Sequence, residues 1–207
     1  MICFLLLMTG CALDAYRMHP EFDARVGSIQ ESVLITPDVS MYEVSSGGVV
    51  MLRDDWSRVG RKNLQNAILR EFKDKQYNVI LVEMDTQTAN EMAKVQTLYR
   101  LVHKTMQRHT LDSHHSSSNN RSFKYSLGSI ELILNKLGAD SLIFVSGYDR
   151  VSKAGRKALI DLAIADSTGT ILYYSVKGSM QGDDLRNPES ATSMVQELLA
   201  SFSRTEE

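Results

Sequence analysis

The sequence predicts an α/β fold: a mixed β-sheet of about five strands with helices packed on its faces, closing in a hairpin followed by a helix. Three observations predict it. Short, β-branched apolar runs alternate with longer stretches whose apolar residues recur every three or four positions, the pattern of buried strands separated by amphipathic helices. Two of the apolar runs near the C-terminus stand side by side with only a turn signal between them. The composition, 43% hydrophobic with three prolines in 207 residues, can build a sizeable core, since chains of this size bury roughly 70% of their unfolded surface.

Residues 32–36 (Ser-Val-Leu-Ile-Thr), stopped by Pro37, form the first buried strand. Within residues 41–53, two strand-like runs flank Ser45-Ser46-Gly47-Gly48, as a hairpin or a mobile loop. Asp54 and Asp55 offer a cap and favourable charge for a helix whose stripe includes Trp56, Leu64, Ala67, Ile68 and Phe72. Residues 79–82 (Val-Ile-Leu-Val) form a second strand, covered on both faces. Residues 90–109 space Met92, Val95, Tyr99, Val102 and Met106 along one helical face, and a Ser-rich loop follows over 110–126. A helix over 127–137 ends at Gly138, and residues 141–145 form a third strand. Residues 159–166 and 169–176, joined through Asp166-Ser167-Thr168-Gly169, form the hairpin, and a last helix starts near Pro188.

The beginning of the chain speaks to location. Residues 2–8 are continuously apolar, but seven residues make only about 10 Å of helix against a hydrocarbon core of roughly 30 Å. A short apolar region ending in small residues has the layout of a cleaved secretory signal. Leu7-Met8-Thr9-Gly10-Cys11 resembles the lipobox of bacterial lipoproteins. The resemblance implies cleavage between Gly10 and Cys11, with the Cys11 thiol taking up a diacylglycerol and the new terminus a further acyl chain such as palmitate. Met8 departs from that pattern, and the basic residues expected before the run would place the start of the chain upstream. Cys3 would leave with residues 1–10, so the mature chain would hold no free thiol. In enterobacterial lipoproteins Asp after the cysteine favours the inner membrane; Ala12 implies the periplasmic face of the outer membrane. Residues 11–30, interrupted by Pro20 and Gly27, are expected to be a tether, and residues 31–207 a single periplasmic domain.

The run Gly138-Ala139-Asp140-Ser141-Leu142-Ile143-Phe144-Val145, the strand end at Ile35-Thr36-Pro37, Trp56 ahead of a long helix, and the closing hairpin and helix resemble uncharacterised bacterial envelope lipoproteins. The fold of that group is similar to the N-terminal domain of TolB and the periplasmic domain of CsgG. The resemblance implies a role in envelope assembly or trafficking and carries over no catalytic residue.

Motifs for chemistry are sparse. His103, His109, His114 and His115 cluster within thirteen positions and invite a metal-site or metal-dependent hydrolase reading. Against it, His103 and His109 stand six apart on a helix, about 240° around its axis. Gly-x-Ser-x-Gly, the P-loop and Gly-x-Gly-x-x-Gly are absent from the sequence. Arg150, Lys153, Arg156 and Lys157 form the densest basic cluster, in an expected loop able to meet anionic headgroups, which also leaves a lipid-binding transport auxiliary as a reading. The net charge of −2 gives no basis for a nucleic-acid partner. The expectation is a non-enzymatic, cofactor-free protein, attached to the membrane by its N-terminal lipid, that binds an envelope protein or a second copy of itself.

Overall fold

The computed structural model describes residues 13–113, 123–179 and 182–202. The chain runs β1 (Leu13–Met18), α1 (Phe22–Val26), β2 (Glu31–Leu34), β3 (Asp38–Val44), β4 (Val50–Leu52), α2 (Asp54–Asp74), β5 (Asn78–Ile80), α3 (Thr86–Ser113), α4 (Glu131–Leu137), β6 (Ser141–Ser152), β7 (Gly155–Asp166), β8 (Ile171–Ser179) and α5 (Pro188–Leu198). The expected mixed sheet with helices on its faces is present, with eight strands rather than about five. Its path is β1-β8-β7-β6-β2-β5, and β3 and β4 continue it beside the far half of β6.

β2 is parallel to both β5 and β6, β3 is parallel to β6, and the other pairs are antiparallel. The crossover from β2 to β5 moves outward along the sheet and the crossover from β5 to β6 moves back. Right-handed connections in opposite directions place their helices on opposite faces. Accordingly α2 packs on one face and α3 with α4 on the other, giving two apolar layers. One gathers α1, α2 and α5 around Phe72, Tyr173 and Phe202; the other gathers α3 and α4 around Tyr99, Phe144 and Tyr174. Among the described residues no helix is long and apolar enough to cross a membrane.

Glycines let α2 sit close on the sheet. A Cβ on Gly60 would meet Met41 Sδ at 2.9 Å, and one on Gly147 would meet Leu64 Cδ1 at 2.9 Å. Gly169, at φ +76°, closes the β7–β8 turn against the backbone of Gly128, whose carbonyl oxygen would lie 1.9 Å from an added Cβ. The last helix starts where expected: Asn187 Oδ1 accepts from the Glu189 and Ser190 amides, with Pro188 in the first turn. Gly138 ends α4 in the left-handed conformation.

Three expectations are corrected. Residues 13–30 are not a tether. Residues 13–18 pair with β8 from Leu13↔Gly178 to Met18↔Tyr173, and Phe22, Val26 and Ile29 are buried. The strand escapes periodicity because its inward-facing residue is the small Ala15; the spacing of Phe22, Val26 and Ile29 is helical and was a usable signal. Next, β6 does not stop at residue 145 but continues to Ser152, and β3 lies along the extension. Its inward positions there are Gly147 and Asp149, which carry no apolar signature. Finally, α3 begins at Thr86 rather than residue 90, where Asp85 Oδ1 accepts from the Thr88 amide at 2.7 Å.

Ala15 is 6% exposed, within the α3-side core. Ala15→Asp should therefore lower thermal stability by about 3 kcal/mol, the cost of an unpaired buried charge. A flexible tether would tolerate the change, so an unaltered melting temperature in a calorimetric scan would restore that reading.

Candidate partner-binding surface

The four basic residues expected in a loop lie instead on a long hairpin. β6 and β7 are joined by only Lys153 and Ala154, with Ser152 Oγ donating to the Gly155 carbonyl at 2.9 Å. Strand alternation sorts the cluster by face. Arg156 falls on the α2 side with Asp149. Arg150 and Lys157, directly opposite each other, fall on the α3 side with Tyr148.

On the α2 side Arg156 and its neighbours are paired. Asp149 is fully buried, and Arg156 reaches it through Nε at 2.9 and 3.0 Å and Nη2 at 2.7 Å. The Leu185 amide donates to the same carboxylate at 3.3 Å. Arg156 also bridges to Asp184, which Arg186 holds from its other side at 2.9 Å. The Arg186 and Arg53 guanidiniums stack on Trp56 at 4.2 and 4.3 Å, and Arg53 pairs with Glu43 and Asp55. Burial opposes the charge on Arg156, but the hydrogen bonds to Asp149 and Asp184 outweigh it and raise its pKa. Burial likewise pushes Asp184 up, yet bonds from Arg186 and Arg156 bring it down to about 2. Arg156, proposed from sequence as a headgroup contact, is thus committed to an internal ladder.

The α3 side is different. α3 crosses the sheet at Phe144, Asp161 and Tyr174, and no described helix covers the far end of this face. The register places Tyr148, Arg150 and Lys157 there beside Tyr42, Leu52, Val44 and Val50. Tyr42 and Tyr148 lie 5.5 Å apart between ring centroids. Val49, Val50, Met51 and Leu52, at the free edge of the sheet, are between 44% and 60% exposed. Arg150, Lys153 and Lys157 are exposed, and none forms an ion pair with a described residue. A cleft of about 240 Å³ runs between Arg150, Ser152, Gly155, Arg156 and Lys157. The fold thus presents cations, two tyrosines and aliphatic side chains together at one end of the sheet.

Of the clustered histidines, the described pair His103 and His109 are held apart by different partners. His103 Nε2 pairs with the buried Asp161 at 2.8 Å, and Tyr99 and Gln107 approach the same carboxylate at 3.5 Å. Burial pushes the Asp161 carboxyl up, countered by bonds from His103, Tyr99 and Ser146. His109 instead contacts Tyr125 at 3.2 Å and stacks on Phe123. Among the described residues no three His, Cys, Asp or Glu side chains form a metal-binding group. His114, His115, Gly10 and Cys11 lie outside the described residues.

No family model matches the chain, and no curated protein matches it. Solved structures align with it at low identity. A PelC dodecamer from Paraburkholderia phytofirmans aligns at 11% identity and a TM-score of 0.43, covering 94% of this chain and 99% of that one. The lipoprotein GNA1162 from Neisseria meningitidis aligns at 10% and 0.37, covering 84% and 99%. The LpoB C-terminal domain from Salmonella enterica aligns at 16% and 0.30, covering 80% and 96%.

Two outcomes follow from the charge pattern. Arg156→Met strands the Asp149 carboxylate and should cost about 3–5 kcal/mol in denaturant unfolding, whereas Arg150→Thr, which relieves a like-charge cross-strand pair, should leave stability equal or higher. Equal losses from both would refute the division between faces. In the second, Asp184 sits at about 2 in the fold against an ordinary 3.8, so its stabilisation is complete above pH 4 and lost as pH falls toward 2. Asp184→Asn should flatten that acid limb of the stability curve; an unchanged slope would count against the assignment.

Proposed function

We propose that the chain is a lipid-anchored, non-enzymatic protein of the bacterial cell envelope with a binding or assembly role in secretion or outer-membrane assembly. The observation that carries this reading is the run Leu7-Met8-Thr9-Gly10-Cys11 two residues ahead of β1. Acylation at Cys11 would fix the domain to a membrane through its first strand. Ala12 after the cysteine supports the periplasmic face of the outer membrane. The resemblance of residues 138–145 and of the closing hairpin and helix to the TolB N-terminal and CsgG periplasmic types points to the same class of role.

The commitment of His103 to Asp161 and of His109 to Tyr125 favours this reading over a metal-dependent one. The uncovered sheet end supports a binding role, because exposed apolar side chains grouped beside charges mark interaction surfaces.

Cys11→Ala should abolish the diacylglycerol mass on the N-terminal peptide and either release the protein from the membrane fraction or leave it as precursor. A mature mass and fractionation identical to the unaltered protein would overturn the anchor. Crosslinking in intact membranes should then yield discrete species containing an envelope protein or a second copy.

A further inference from the structure

The point where the chain would meet its lipid and the uncovered patch lie at the same end of the sheet. Leu13 pairs with Gly178, Gly178 with Leu159, Leu159 with Tyr148, and Tyr148 with Ser40, so these residues form one row across five strands. Beyond that row stand the β6–β7 turn with Lys153, the Arg150–Lys157 pair and β4. At about 4.8 Å per strand, Tyr148 lies about 14 Å from Leu13 and β4 about 24 Å. Cys11 is two residues before Leu13, and two residues span at most about 7 Å. A lipid on Cys11 therefore holds this end of the sheet, and no other, against the bilayer.

The chemistry of the end fits that position. Like charges directly opposite on neighbouring strands destabilise a sheet unless an anion lies between them, and Arg150 and Lys157 face each other with no carboxylate among the described residues bridging them. Lys153 stands at the turn between them. Tyr42 and Tyr148, amphipathic and paired, suit the headgroup level. Val49 to Leu52 supply aliphatic side chains at the adjoining edge. Of the carboxylates nearby, Glu43, Asp55 and Asp184 are paired to Arg53, Arg156 and Arg186. Asp14 and Asp54 are exposed and join no ion pair with a described residue, so the cations Arg150, Lys153 and Lys157 stand in excess at this end by one charge.

We infer that this end is a membrane seat. Arg150, Lys153 and Lys157 bind anionic phospholipid headgroups of the bilayer that holds the anchor, while Tyr42, Tyr148 and the Val50–Leu52 strand lie in its interfacial layer. The inference rests on the lipid-anchored reading and adds to it a fixed orientation, with the anchor and the seat acting as two signals on one surface.

The test uses the lipidated protein reconstituted in vesicles of phosphatidylethanolamine with phosphatidylglycerol. Fluorophores are placed through Met51→Cys, Lys153→Cys and, at the opposite end, Thr168→Cys, and are quenched by spin-labelled lipid. Strong quenching is expected for the first two and none for the third. Arg150→Gln and Lys157→Gln should each reduce quenching at Met51→Cys, with the seated fraction falling about fivefold per charge near an anionic surface. Replacing phosphatidylglycerol by phosphatidylcholine should do the same. Equal quenching at both ends, or none at Met51→Cys in protein whose mass carries the lipid, would overturn the seat and leave the anchor standing. Protein without lipid mass that washes off the vesicles would overturn the anchor itself. Disulfide dimers of unlabelled Met51→Cys on oxidation with copper phenanthroline, alongside an unquenched fluorophore at Lys153→Cys, would instead assign the strand to a second copy and equally overturn the seat.

Discussion

A strand of twelve residues must find backbone partners along both edges, and β6 does so with three neighbours. β7 runs the whole length of one edge, while β2 and β3 share the other in succession. Pro37, which has no amide hydrogen to place in the ladder, stands where β2 gives way to β3. Because β3 takes up the far half of β6, the sheet extends past the helix that covers its near half. The exposed end, the edge strand β4 and the basic hairpin all follow from that shared edge.

An extension of this kind needs its own support, since the apolar layers thin out toward it. On the α2 side the support is ionic. Asp149, buried at the inward position where a core strand would place an aliphatic residue, is held by Arg156, and the chain continues through Asp184, Arg186, Trp56 and Arg53 to Glu43. The ladder ties β6, β7, the segment before α5, the start of α2 and β3 into one unit. A buried pair adds little net stability over an apolar pair, but it is intolerant of losing one partner and therefore of misregistration. Here a shift of one residue would send Arg156 to the opposite face.

How much of this was legible follows from which signals are local. Asn187-Pro188 and Gly138 mark helix ends by their own conformational preferences, and the structure uses both as the sequence indicated. The apolar runs at 32–36, 141–145, 159–166 and 171–176 are strands because continuous apolarity is itself the cause of their burial. The tether reading failed because β1 is recruited by the open edge of β8, a partner more than 150 residues away that residues 13–18 do not advertise. The basic cluster illustrates a different limit. Its density was visible, but its division depends on register, and Arg156 leaves the surface because Asp184, 28 residues later, folds back to meet it. His103 and His109, close in sequence, part for the same reason: one is claimed by Asp161 of β7 and the other by Tyr125 of the segment before α4.

Trp56 is the only tryptophan in the chain, and it sits at the margin of the α2-side apolar layer, between two members of the ionic ladder. Its indole therefore experiences the field of two guanidiniums, and its environment changes when either is withdrawn. The molecule carries a single built-in optical gauge of its charged end, one that stays silent to rearrangements under α3 and responds when the long hairpin loosens from α2.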